Sequence, residues 1–305
     1  ADRLHNQIQL DNSLDGSIVL SIKDQSLNIT IESNSLFFQI DNTNIPFTEW
    51  DLDNAEWDGV LGPTLPAPGY NKIEEPLINK TESGYKIKYD ILGLIYWMLS
   101  RLEEVECENL DNHERFSSTS SHAFKHGYLE RPIVDEWILI LIQVIQRLWP
   151  NIKLKHQSFG VIVSHDVDIS SRYIFQSPYK LARGMVSDIL KYGNFRSAFR
   201  APWMRFRSHQ KLPEKDPLNT FEWIMDQSDS HNLISSFNFI AGKTHPETDA
   251  DYAIDHPSIR SLMKYIHHRG HMVGLHPSYN TFNKPDLIIA EAKKLRSICF
   301  QEGIK

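Results

Sequence analysis

The second half of the chain repeats one unit three times: a short apolar run that stops at polar residues, followed by a stretch with helical periodicity. The runs are Phe159-Gly160-Val161-Ile162-Val163-Ser164, Ser235-Ser236-Phe237-Asn238-Phe239-Ile240-Ala241 and His271-Met272-Val273-Gly274-Leu275. Asn219-Thr220-Phe221-Glu222 has the form of a capping box and opens a helix that ends near Asn232. Pro257 to Arg269 is the clearest helix, with Ile259, Leu262, Met263 and Ile266 on one face and Gly270 as its stop, and Pro285 opens another towards Gly303. Strand then helix, repeated, implies parallel strands with right-handed crossovers, so the expected class is α/β, as an open doubly wound sheet or part of a barrel.

Before Pro150 the pattern is different. Short strand-like runs lie between Ile8 and Ile40, residues 41–79 read as an extended connection rich in Asp, Asn, Pro and Gly, and two core helices follow over Asp90–Glu104 and Val134–Leu148. The expected organisation is a smaller mixed α/β accessory domain over 1–150 and a β/α domain over 151–305. Charge divides in the same place. Residues 1–150 carry 11 Lys and Arg against 24 Asp and Glu, a net of −13, and 151–305 carry 21 against 15, a net of +6.

Neither half has the basic face and reading element of a nucleic-acid binder, so no nucleic-acid partner is expected. No apolar run of about 18 residues occurs, and Ala1-Asp2-Arg3-Leu4-His5-Asn6 has no signal-peptide core, so a cytoplasmic protein is expected. The missing initiator Met points to a processed or trimmed start. Cys107 and Cys299 match no metal or redox spacing and are expected to be buried thiols.

In parallel α/β folds, polar groups at the carboxyl ends of strands converge on the ligand site. The first run leads into His165-Asp166-Val167-Asp168 and the third into His276-Pro277-Ser278-Tyr279-Asn280. Carboxylates two apart in a strand point the same way, so one can hold a cation while the other takes a proton from its bound water. Carboxylate with imidazole suits zinc, cobalt or nickel. The plainer reading is that strand-end Asp residues bond loop amides and a single His is satisfied by a hydrogen bond. That plainer reading is the default for His113, His122 and His126 in a polar loop, and for His267 and His268 on a helix face.

Residues 159–305 resemble the amino-terminal part of the polysaccharide deacetylases, carbohydrate esterase family four, whose fold is a distorted (β/α) barrel. The closer likeness is to a bacterial subgroup found with surface-polysaccharide genes. It rests on Asp90-Ile91-Leu92-Gly93, Ser100-Arg101-Leu102-Glu103-Glu104, Arg115-Phe116 and Arg131-Pro132-Ile133-Val134-Asp135-Glu136 in the first half. In the second half it rests on Ser164-His165-Asp166-Val167-Asp168, Asp249-Ala250-Asp251-Tyr252 and Gly274-Leu275-His276-Pro277-Ser278-Tyr279-Asn280.

The resemblance implies that Asp166 is the catalytic base and that Asp168 and His276 ligate a divalent metal, zinc foremost. Asn280 stands where the family has a second histidine, and an amide oxygen is a poor zinc ligand. His165 and Tyr279 are the expected substrate contacts, with the metal and a backbone N–H near Tyr279 or in another loop on the oxyanion. The family's later motifs find no counterpart before Lys305, so the expected barrel is C-terminally truncated. The implied activity is metal-dependent removal of acetyl groups from a sugar or polysaccharide. The competing expectation is a noncatalytic carbohydrate-binding or assembly protein that keeps the fold. For Arg101, Glu103, Glu104 and Arg115 the expectation is a structural ion-pair network, against a role in shaping the groove.

Residues 179–215 carry nine Lys and Arg against two acids, interleaved with Phe195, Phe199, Trp203 and Phe206. The ordinary expectation is a solvated basic helix pair whose aromatics pack on the barrel. The sharper one is a cover beside the site that attracts an anionic glycan, a lipid-phosphate-linked sugar or an anionic membrane surface.

Overall fold

The computed structural model of the chain describes residues 8–40, 45–52, 57–58, 61–154, 159–193, 195–207 and 209–305. The chain divides into two compact units, residues 1–157 and 158–305.

The first unit begins with strands β1 (Ile8–Asn12), β2 (Ile18–Ile22) and β3 (Asn28–Ile31). A two-stranded antiparallel ladder follows, β4 (Phe47–Asp51) with β5 (Thr64–Pro68), then β6 (Ile78–Thr81) and β7 (Gly84–Ile87). The main sheet has the order β1-β2-β3-β7-β6, antiparallel except for the parallel β3–β7 pair. Helices α1 (Ile91–Leu99), α2 (His122–Lys125) and α3 (Ile133–Leu148) complete the unit. The apolar stripes of α1 and α3 and the inward residues Leu20, Ile29, Ile31 and Ile87 form one core. At its centre Trp137 is fully buried, lies between Trp50 and Tyr89 with ring centroids 5.6 and 4.1 Å away, and donates Nε1–H to the Pro66 carbonyl.

Two expectations are corrected in this unit. Residues 41–79 are not only a connection, since they contain the β4–β5 ladder. Its Pro66 and Pro68 lack N–H groups and read as turn residues, but a two-stranded ladder leaves each strand an edge on which proline is tolerated. The helix expected over 90–104 stops at Leu99. Arg101 turns left-handed at φ 54°, and a short 3-10 turn covers Leu102–Glu104.

The second unit holds strands β8 (Val163–Val167), β9 (Ser235–Ile240) and β10 (Met272–His276). Its helices are α4 (Pro178–Tyr192), α5 (Phe195–Arg207), α6 (Phe221–Ser230), α7 (Pro257–His268) and α8 (Pro285–Gln301). All three strands are parallel, in the order β10-β9-β8. Val167, Phe237, Phe239, Val273 and Leu275 face α6, α7 and α8 and pack with Met225, Ile259, Met263, Ile266 and Leu295. By strand alternation the other face presents Ser164, Asp166, Ser236, Asn238, Met272, Gly274 and His276, all exposed or half-buried, and at its carboxyl end Ile240, which is buried beside His276.

The fold class is mixed α/β with open sheets; among the described residues no sheet closes into a barrel. The first strand is displaced from the expected 159–164. Phe159 and Ile162 are 94% and 85% exposed, and pairing with β9 fixes the strand at Val163–Val167. An apolar run shows that a strand is near, but its partner decides the residues that pair. The capping box at Asn219–Glu222 does not form either, because Thr220 occupies the cap position without a side-chain hydrogen bond.

Candidate functional site

The displacement of β8 changes the position of its carboxylates. Asp166 lies within the strand and only Asp168 lies beyond its end. Parallel pairing puts Asp166, Asn238 and Gly274 in one row across the sheet, with His276 two residues further along β10. Asn238 organises this row. Its Nδ2 donates to Asp166 Oδ1 at 3.0 Å, and its Oδ1 accepts from Ser236 Oγ at 3.0 Å. Gly274 leaves room for the amide, since a Cβ there would come within 2.2 Å of Asn238 Oδ1. The second Asp166 oxygen faces His276 Nε2 at 3.6 Å.

That separation is longer than a hydrogen bond. It is near the edge of a tetrahedron around a cation with ligands at zinc-like distances, about 3.3 Å. Two donors do not make a shell, because catalytic zinc takes three protein ligands. Among the described residues no group of three His, Cys, Asp or Glu side chains is placed to hold a metal ion. The cation therefore rests on the resemblance and not on this geometry. His276 Nδ1 is buried without a hydrogen-bond partner, which favours the tautomer with its proton on Nε2, toward Asp166.

The remaining expected residues fall as follows. Asp168 is exposed, next to Val167, whose carbonyl accepts the Tyr252 hydroxyl. Burial, together with the Asp168 and Asp251 charges, raises the Tyr252 phenol well above its ordinary value. His165 lies on the helix-covered face, with Nε2 3.3 Å from Ser235 Oγ and its ring 5.1 Å from Phe237, so it is not brought to Asp166. Asn280 braces two loops, its Nδ2 donating to the Thr244 carbonyl at 3.0 Å and its backbone N–H to Thr244 Oγ1. The Tyr279 backbone N–H, expected at an oxyanion, donates to Asp249 Oδ1 at 2.7 Å. A carboxylate already takes that donor. The Tyr279 ring is 40% exposed beside His245.

Asp249 and Asp251, two apart in one loop, have opposite environments. Burial alone would raise the Asp249 carboxyl, but N–H donors from Tyr279, His245 and Thr244 outweigh it and hold the group below its ordinary value. Asp251 has Gln176 Nε2 on one oxygen at 3.1 Å and a buried second oxygen without a partner. Burial pushes its carboxyl up to about 6, its own N–H and Gln176 offsetting part of the rise. Behind the Tyr279 loop, buried Glu291 accepts from the backbone N–H and hydroxyl of Ser278.

The sequence patterns of the first unit resolve into structure. Asp90 caps α1 through Gly93 N–H and also accepts from Asn34 N–H, and a Cβ at Gly93 would meet Asp90 Oδ2 at 2.3 Å. Arg131 pairs with buried Glu136 at 2.6 Å and donates to the Thr64 carbonyl of β5. Arg101 pairs with Glu104 and Arg115 with Asp111, while Glu103 accepts the His122 backbone N–H. Cys107 and Cys299 are half-buried free thiols, and burial raises that of Cys299.

Asn238 and Gly274 were not singled out from sequence. The available signal was the period-two polarity of Ser236 and Asn238 between Ser235, Phe237 and Phe239, which marks a strand with one open face rather than one buried on both. Fold and site together define a mixed α/β protein with a polar open face on its parallel sheet. Residues 6–150 match DUF7033, a family of unknown function. The match leaves the sheet carrying Asp166 and His276 outside it. No curated protein and no solved structure matches the chain.

Proposed function

We propose that the second unit is a deacetylase-type domain that removes acetyl groups from a sugar or polysaccharide in bacterial surface-glycan metabolism, in the cytoplasm. The observation that carries this reading is the approach of Asp166 and His276, from β8 and β10, to 3.6 Å on the open face of the sheet. The strand order supports the barrel part. Sequential order β8-β9-β10 with the apolar faces all turned to α6, α7 and α8 is how a singly wound sheet starts; a doubly wound sheet reverses and has helices on both faces. In a singly wound sheet the bare side faces the barrel interior, where Asp166, Asn238 and His276 then lie.

The chain's own residues have definite tasks in this reading. Asn238 holds one Asp166 oxygen, so the other is oriented to accept the proton of an attacking water. His276, with its proton on Nε2, presents a donor beside that carboxylate. A divalent cation, zinc or else cobalt or nickel, remains part of the proposal through the resemblance. The resemblance gives it Asp168 and His276 as ligands and leaves Asp166 as the base; with the cation bound, His276 Nε2 would offer its lone pair to the metal in place of a proton to Asp166.

The test is acetate release from acetylated oligosaccharides by the full chain, with and without zinc, cobalt and nickel. The proposal predicts release that Asp166→Asn and His276→Ala each lower by about 10²-fold or more. No release with any metal, with the oligosaccharide still bound, establishes the noncatalytic carbohydrate-binding reading instead. The use of Asn280 as a loop brace favours that second reading.

A further inference from the structure

Between β8 and α6 the chain inserts an antiparallel helical hairpin that the proposed hydrolysis does not use. Helices α4 and α5 are joined through Gly193, which is left-handed at φ 61° and closes α4. The hairpin has a small core of Tyr173, Ala201 and Met204, with Leu181 and Met185 packed against it. Asp188 is buried and takes Arg172 and the Tyr173 hydroxyl. Its charge is thereby removed from the surface.

The outward faces are apolar as well as basic. On α4, Tyr179, Arg183, Val186 and Leu190 form one stripe at offsets 0, 4, 7 and 11, and the three apolar members are 75%, 54% and 81% exposed. On α5, Phe195, Phe199 and Trp203 form another at offsets 0, 4 and 8, and are 57%, 77% and 60% exposed. Phe195, Phe199 and Trp203 are therefore exposed and not packed inward as expected, while the side chain of Phe206 lies outside the described residues. Because the helices are antiparallel neighbours, Leu190 and Lys191 in the last turns of α4 lie at the same end as Phe195, Phe199 and Arg200 of α5. The segment 179–215 holds nine Lys and Arg, and of its two acids Asp188 is already paired.

We infer that this hairpin docks on an anionic phospholipid surface, its exposed aromatic and aliphatic side chains entering the headgroup boundary while Lys180, Arg183, Lys191 and Arg200 meet lipid phosphates. Apolar stripes interleaved with Lys and Arg are the chemistry of helices that lie in a membrane interface, and the charge is complementary to anionic lipid. The helices, about 22 and 20 Å long, are too short to cross the hydrocarbon core. No helix among the described residues is long and apolar enough to do so. At its base the hairpin is tied to the loop that follows β9. Arg205 donates to the Gln176 carbonyl, and Gln176 in turn bonds Asp251. Docking would hold the open sheet face beside the lipid surface whether or not that face is catalytic.

The test is flotation of the full chain with phosphatidylcholine vesicles and with vesicles that also contain phosphatidylglycerol. Binding is expected only to the anionic vesicles, and it weakens with salt as the Debye length falls from about 10 Å at 0.1 M to about 3 Å at 1 M. Phe199→Ser with Trp203→Ser, and separately Lys191→Glu with Arg200→Glu, are each expected to weaken it roughly tenfold or more, with unchanged circular dichroism. Failure of the full chain to float with anionic vesicles at low salt overturns the inference. So does binding that the aromatic substitutions leave intact while a soluble acidic polysaccharide abolishes it, which would make the partner a soluble glycan. Self-association lost in the same variants, without flotation, would assign the surface to a second copy and equally overturn it.

Discussion

The two clearest residue-scale consequences are electrostatic and opposite in sign. Asp251, with its carboxyl raised to about 6 by burial, binds a proton more tightly folded than unfolded. Stability from this group is therefore full below the ordinary carboxyl value of 3.8 and is lost as pH rises through about 6. Asp251→Asn removes the charge that burial disfavours. It is expected to stabilise the chain at pH 8 by about 1–2 kcal/mol, allowing for solvent screening, with little effect near pH 4. Urea unfolding at the two pH values checks this, and an equal effect at both would contradict it. His122 is the reverse. Burial depresses its imidazole to about 4, and its ring nitrogens contact Tyr128 Oη and the Ile45 carbonyl. Its contribution is full above the ordinary 6.5 and is lost as pH falls towards 4, so the first unit should lose about 2–3 kcal/mol over that interval. A flat stability profile for residues 1–157 between those values would argue against it.

At the scale of elements, Trp137 on α3 and Gly274 on β10 support different things. Trp137→Ala removes a ring wedged between Trp50 and Tyr89 and is expected to cost about 3–5 kcal/mol, read from the denaturation midpoint. Gly274→Ala puts a methyl where the Asn238 amide lies and should release its hold on Asp166, lowering acetate release while changing the melting temperature little. Periodicity was enough for β9, β10, α3, α7 and α8, because each has a long stripe or a run bounded by Gly or Pro. It failed for β4 and β5, whose prolines look like loop, and for β8, whose apolar lead-in is solvent-exposed while pairing selects His165 and Asp166. Of the site, His276 was legible as a polar group at a strand end, whereas Asp166 was singled out on the same ground but lies inside β8. Asn238, between phenylalanines, was hidden by them, and His165 and Asp166 went to opposite faces for the same reason that alternate residues always do.

For the whole molecule, the −13 and +6 halves carry separate cores: one around Trp137 between α1, α3 and the five-stranded sheet, one around Phe237 and Phe239 beneath α6, α7 and α8. Residues 1–157 expressed alone are expected to unfold cooperatively on heating, and a non-cooperative melt would contradict an independent unit. In the proposed hydrolysis Asp166 and His276 act together on the open sheet face. The direct measurement is a double-mutant cycle on kcat/KM for acetate release, with Asp166→Asn, His276→Ala and both. The expected result is a loss of about 10²–10⁴-fold for each single change and no further loss in the pair. Losses that multiply, or activity that survives either change, would contradict it.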